Sequence, residues 1–321
     1  MYKKFFGLSR NPFEISPDPY FFCPTPRHNE ALANLTYGVY KRKGFVVVSG
    51  EVGTGKTLVV RFLLEALSRN HIPSAFVYNP NLSVLDFLAH VLTDLHIPLA
   101  GRTKSEMLSR LNNYLLARSR QGGTTALVVD EAQLLGWELL EEIRLLTNLE
   151  TSQHKLLQIV LAGQPELEDK LDSPQLRQLK QRIGLRCRLE PLGLDELRGY
   201  VHRRLELAGA TARAAAIFPE EAIRVVHQYS QGIPRLANTL CENSLVSAFS
   251  RQATQISPET VAEVAAGFRL DLVTTAPLAN GNGSDRRQNA LRTLLEMVEE
   301  RNGNRGGPSY ANAFASGVKA E

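Results

Sequence analysis

The sequence predicts an α/β fold: a parallel sheet with helices on both faces, followed by a small all-α domain. Three observations predict it. Short apolar runs alternate with helical periodicity between residues 44 and 161; a glycine-rich loop joins the first such run to the first such helix; beyond Pro191 only helical spacing remains. Strands that alternate with helices pair in parallel, because each crossover helix returns the chain to the same end of the sheet.

Residues 1–43 form a lead segment whose prolines, Pro12, Pro17, Pro19, Pro24 and Pro26, exclude a long helix until roughly Arg27. Ala31, Leu32, Leu35 and Val39 then take up helical spacing. Residues 44–49 read as a buried strand, followed by the loop and a helix carrying Leu58, Val59, Phe62, Leu63 and Leu67. Strands follow at 74–78, 126–129 and 156–161, and helices at 83–95, 105–118 and 137–149. After Pro191, helices are expected at 194–207, 219–229, 234–250 and 258–268, with Pro219 and Pro258 near helix starts. The domains expected are therefore the lead 1–43, an α/β core 44–190 and a helical lid 191–268. An Asn-, Gly- and Ser-rich linker 269–289 and a short helix with a disordered tail, 290–321, complete the chain.

The 321 residues are 43% apolar and 22% charged, with a formal charge of +4. That composition supports a sizeable core needing neither disulfides nor metals. So small a basic excess is compatible with nucleic-acid or acidic-membrane contact without demanding either. Cys23, Cys187 and Cys241 are far apart, odd in number and form no C-x-x-C pair, which suggests neither a disulfide framework nor a zinc site. The apolar patch at Phe5-Phe6-Gly7 is too short for a signal peptide. No run approaches the roughly 20 apolar residues that cross a bilayer. The expectation is a cytoplasmic protein with no integral membrane segment, unless a partner holds it at a membrane.

Gly50-Glu51-Val52-Gly53-Thr54-Gly55-Lys56-Thr57 fits the phosphate-binding pattern G-x-x-x-x-G-K-[ST] without a mismatch, between a strand and a helix as that loop requires. Its glycines let backbone N–H groups point at phosphate oxygens, and the helix N-terminus adds to the field. Lys56 is expected to reach the β- and γ-phosphates, and the Thr57 hydroxyl to ligate Mg²⁺. The buried strand 126–129 ends in Asp130-Glu131. There Asp130 can hold the Mg²⁺ hydration shell, and Glu131 can polarise a water for attack on the γ-phosphate. The ligands expected are ATP and Mg²⁺. Gln164, after the strand at 156–161, stands where ligands bind in open α/β sheets and can contact the γ-phosphate or the water; a structural amide in a turn is the alternative.

Arg177, Lys180, Arg182, Arg186 and Arg188 form a basic stretch ahead of the helical region. Arg182 first, then Arg177, is the choice for an arginine that enters a neighbouring subunit's site and stabilises transition-state charge. A solvated basic face, or contact with DNA phosphates, is the alternative. Arg235, in Gly232-Ile233-Pro234-Arg235 at a helix start, can swing onto the γ-phosphate as two domains close, or can be structural.

With these features assembled, the sequence resembles the ExeA/GspA-like branch of the AAA+ ATPases. The likeness runs from Phe5-Phe6-Gly7-Leu8, Asn11-Pro12-Phe13 and Pro24-Thr25-Pro26-Arg27-His28 through Asp130-Glu131-Ala132-Gln133 and Leu149-Glu150-Thr151. It continues in Gly163-Gln164-Pro165-Glu166-Leu167, Gln181-Arg182-Ile183 and Gly232-Ile233-Pro234-Arg235. The resemblance implies that Lys56 and Thr57 are Walker A positions and Asp130 and Glu131 Walker B. It implies sensor 1 at Gln164, the arginine finger at Arg182, sensor 2 at Arg235, and a lead that packs near the adenine. It further implies a ring or filament with ATP at subunit interfaces. Secretion-type members continue with a transmembrane helix and a peptidoglycan-binding domain, which are not read in this sequence.

The functional expectation is an ATPase whose hydrolysis of Mg-ATP drives conformational change or assembly of an envelope or export complex, linked to secretion or exopolysaccharide export. The alternative is an ATP-dependent DNA-binding adaptor of the transposition-helper type. A small-molecule kinase is disfavoured by the Glu131 next to Asp130 and by the absence of an obvious acceptor pocket.

Overall fold

The structure is a computed structural model that describes residues 1–14, 19–21, 23–99, 103–152, 154–210 and 213–270. They belong to one compact unit, Met1–Thr275. From residue 271 on, the expected linker, short helix and tail lie outside the described residues.

Five strands, β1 (Phe45–Gly50), β2 (Ser74–Val77), β3 (Thr125–Val129), β4 (Leu157–Gly163) and β5 (Leu185–Leu189), form one sheet in the order β2-β3-β4-β1-β5. Every pairing is parallel, with Val47 opposite Leu161 and Leu127 opposite Ile159. The lead supplies α1 (Tyr2–Phe6) and α2 (Pro26–Tyr40). Then come α3 (Lys56–Arg69), α4 (Val84–Asp94), α5 (Lys104–Arg120), α6 (Trp137–Leu146), α7 (Pro165–Asp172) and the single turn α8 (Arg177–Lys180). After β5 the chain is helical: α9 (Leu194–Leu205), α10 (Ala214–Ile217), α11 (Glu220–Ser230), α12 (Pro234–Ser250) and α13 (Pro258–Gly267).

The three inner strands, β1, β3 and β4, form because β-branched and apolar residues occupy both faces of a fully buried ribbon. Side chains alternate along a strand, and the core divides accordingly. Phe45 and Val47, with Leu127, Val129, Ile159 and Leu161, face one layer that includes Phe87, Leu111 and Leu140. Val46 and Val48, with Ala126, Val128 and Val160, face the other, built on Leu35 of α2 and Leu63 of α3. Helix starts are capped as their sequences allow: Thr103 and Glu106 form a capping box, and Ser83 and Ser257 accept from backbone N–H groups three residues on.

A third cluster joins the two ends of the described chain. Phe6, Leu8, Phe13 and Phe21 of the lead are buried among Leu197, Val201, Phe218 and Leu245 of the helical region. The lead is therefore shared: the apolar residues ahead of α2 pack with the C-terminal helices, and α2 packs on the sheet.

One strand escapes the sequence reading. Leu185-Arg186-Cys187-Arg188-Leu189 is an edge strand on β1, not only part of a basic stretch. Its apolar residues point inward and its arginines outward, the alternation of a half-covered edge. The short helices α1, α7, α8 and α10 also go unread, being too brief to show a period.

Candidate functional site

Because β1, β3 and β4 are parallel neighbours, their carboxyl ends release three loops at one edge of the sheet. The first, Glu51 to Gly55, turns the chain from β1 into α3, with Gly53 at φ 85° and Gly55 at φ 101°. Those left-handed values exclude most side chains. Lys56, the first residue of α3, is only 5% exposed. Its Nζ donates to the carbonyls of Gly50 (2.7 Å) and Glu51 (2.9 Å), so the ammonium lies across the loop. Burial lowers the Lys56 pKa, opposed by the Glu131 and Asp130 carboxylates.

The second loop carries the acidic pair. Asp130 is buried, which raises its pKa, while hydrogen bonds from the Thr57 hydroxyl and the Glu131 N–H lower it. A Thr hydroxyl bonded to a carboxylate is the oxygen donor set that suits Mg²⁺. Glu131 takes a left-handed backbone, φ 50°, which is unusual for a non-glycine residue. Its Oε2 accepts from Gln133 Nε2 at 2.6 Å and, from the third loop, Gln164 Nε2 at 3.3 Å.

Helix α12 closes the cleft from above. The cleft has a volume of about 980 Å³ counting its open mouth, and Lys56, Thr57, Glu131, Gln164 and Arg235 all line it. Five of the residues singled out from sequence thus meet in one place. The lead contributes Glu14, Phe21, Cys23 and His28, and the helices Tyr200, Arg204 and Asn238. Tyr200 donates to Asn238 Oδ1 at 2.9 Å and accepts from Arg204 at 2.8 Å.

Arg182 and Arg177 are not among these lining residues. Arg182 is half-buried, with Nη1 donating to Thr147 Oγ1 at 3.0 Å, and Arg177 is exposed on α8. The rest of the basic stretch is partly neutralised. Arg186 pairs with Glu168 and Asp172, and Lys180 with Asp172 at 2.8 Å.

Among the residues with no role in the sequence reading, two hold the site's loops in place. His28 Nε2 donates to the Thr54 carbonyl at 2.9 Å, and its Nδ1 accepts from the Thr25 hydroxyl at 2.7 Å. The signal was local, since Thr25 and His28 form the capping box of α2. For Gln133 the signal was its place in the Asp130-Glu131-Ala132-Gln133 run, two residues after Glu131.

A family model described as an AAA domain matches residues 39–171. The chain is 45% identical over 257 residues to General secretion pathway protein A of Aeromonas hydrophila, covering 80% of this chain and 46% of that protein. It therefore spans about half the length of that relative. Among solved structures, Drosophila ORC bound to DNA is 18% identical with a TM-score of 0.59, covering 97% of this chain and 82% of that one. Cdc6p of Pyrobaculum aerophilum is 21% identical with a TM-score of 0.57, over 83% and 72% of the two chains. ORC2 of Aeropyrum pernix, in ADPNP–ADP complexes, is 17% identical with a TM-score of 0.56, over 80% and 71%. At such identities the likeness is one of fold.

Proposed function

The chain belongs to the GspA-like AAA ATPases, and from that premise we propose that it binds Mg-ATP in the cleft beneath α12 and hydrolyses it to ADP and phosphate. The observation that carries this reading is the meeting of Lys56 and Thr57, after β1, with Asp130 and Glu131, after β3, at the carboxyl ends of the two strands that flank β4.

On binding, Lys56 exchanges the Gly50 and Glu51 carbonyls for the β- and γ-phosphate oxygens, which restores an anionic partner to a buried cation. Backbone N–H groups of the loop and the start of α3 hold the remaining phosphate charge. Thr57 and Asp130 would hold Mg²⁺, which would supply positive charge beside the phosphates. Glu131 accepts the hydrogen bond of the attacking water, and Gln164 steadies the carboxylate and the γ-phosphate. The base sits toward Phe21 and Tyr200, between lead and helices. Arg235 reports γ-phosphate to the helical lid 191–268, and Arg182 acts across a subunit boundary in a ring or filament.

The cycle drives conformational change or assembly in a partner complex of the envelope or of export. A site that uses ATP works where ATP is supplied, and the reading is of a cytoplasmic location for this part of the protein. No described helix is long and apolar enough to cross a membrane. The DNA-adaptor alternative draws no support from Lys180 and Arg186, which are already paired with carboxylates.

The test is a pair of variants. Lys56→Ala should weaken ATP binding about 100-fold. Glu131→Gln should bind ATP like the wild type and lose hydrolysis by ~10²-fold or more. Normal turnover in Glu131→Gln, or equal loss of binding in both, would overturn the assignment.

A further inference from the structure

We infer that Gln133 is the positioning residue of this site: it aims the Glu131 carboxylate and ties it to the Gln164 backbone. The inference rests on the reading of Glu131 as the residue that activates water.

Gln133 makes two hydrogen bonds in opposite senses. Its Nε2 donates to Glu131 Oε2 at 2.6 Å, and its Oε1 accepts from the Gln164 backbone N–H at 3.0 Å. A backbone N–H can only donate and a carboxylate can only accept, so the amide has one orientation. A flipped amide would oppose donor to donor and acceptor to acceptor. The side chain therefore works as a rigid two-sided bridge between the loop after β3 and the loop after β4.

Gln133 is itself held. It lies in a single 3₁₀ turn, Ala132–Leu134, that follows the left-handed Glu131. Lys170 of α7 donates to the carbonyls of Gln133 and Leu135, the latter at 3.1 Å. Main chain and side chain are thus anchored to the β4–α7 segment, the same segment that presents Gln164. A shift of Gln164 is felt at Glu131 by two routes: directly through Gln164 Nε2, and through Gln133.

The consequence is geometric. An amide donor at 2.6 Å, on a side chain with no other orientation open to it, holds Glu131 Oε2 in one direction and leaves the second carboxylate oxygen to meet the water. Loss of the bridge lets a carboxylate on a strained backbone wander, which lowers turnover. Nucleotide binding stays intact, because Lys56 and Thr57 make no contact with Gln133 among the bonds described.

The experiment is a double-mutant cycle in ATP hydrolysis, with nucleotide affinity measured alongside. Gln133→Met keeps the length of the side chain and loses both hydrogen bonds. It should reduce kcat about tenfold at unchanged KM and melting temperature. Gln133→Glu keeps an acceptor for the Gln164 N–H but sets a carboxylate where Glu131 needs a donor, and should reduce kcat at least as much. Added to Glu131→Gln, the Gln133→Met change should cost less than about twofold, because a residue that acts only by aiming a carboxylate has nothing left to aim. Wild-type kcat in Gln133→Met overturns the inference. So does a full tenfold loss in the Glu131→Gln background, since packing alone would produce it. A failure of Glu131→Gln to lose hydrolysis is a separate result and removes the underlying reading instead.

Discussion

The backbone N–H of Arg235 donates to the Gly53 carbonyl at 3.4 Å, so α12 begins directly on the glycine-rich loop between β1 and α3. A Cβ at Gly53 would stand 2.7 Å from the Arg235 Cβ and 3.0 Å from Ile233 Cγ2, on a backbone at φ 85°. Gly53→Ala should therefore strain the loop and lift the helix from it, costing about 1–2 kcal/mol of stability. Thermal unfolding and an ATP titration check this; Val52→Ala, at an exposed neighbour, should leave stability unchanged.

His28 fastens the same loop from the other side. Burial lowers its pKa from 6.5, opposed by the hydrogen bond to the Thr54 carbonyl, and a ring nitrogen that accepts from the Thr25 hydroxyl is that of a neutral ring. The unfolded chain therefore binds a proton that the folded one resists. Stability attributable to His28 is full above pH 6.5 and is lost as pH falls below 6.5 toward the folded pKa. Denaturant unfolding of wild type and His28→Gln between pH 5 and 8 should show the difference closing toward acid pH. A constant difference would contradict the account.

Arg204 is a buried cation between lead and helices. Its guanidinium lies 5.0 Å from the Phe21 ring and 5.3 Å from that of Tyr200, and it donates to the Pro12 carbonyl and Tyr200 hydroxyl. Arg204→Met leaves those acceptors without a donor and should cost ~2–3 kcal/mol. Lys at this position should not rescue it, because an ammonium cannot stack and fork at once. Chemical denaturation of both variants is the measurement.

Arg182→Ala should bind ATP normally and hydrolyse it poorly, since Arg182 does not line its own cleft. Mixing it in equal amounts with Glu131→Gln should restore roughly a quarter of wild-type activity, the share of heterologous interfaces pairing an intact site with an intact arginine. Two inactive proteins that stay inactive when mixed, or an active Arg182→Ala, would remove the trans role.

Much of the fold and of the site is legible in consecutive residues. The strand, loop and helix around Lys56 announce themselves because phosphate binding needs glycines and a lysine at fixed spacing. The parallel sheet follows because alternating strand and helix leave little other choice. The edge strand at Leu185–Leu189 is written just as plainly, in its alternation, but its arginines invite an electrostatic interpretation.

By itself, then, the sequence determined the glycine-rich loop, the acidic pair, the α/β order and the helical region that follows, since each rests on neighbours along the chain. Only the tertiary structure decided which partners those residues meet: His28 with Thr54, Gln133 with Glu131 and Gln164, Arg186 with Glu168. Those contacts join residues between 2 and 31 positions apart. The physical reason is that strand order and turn geometry set which loops face one another, and the pattern of any one segment is silent on what will stand opposite it.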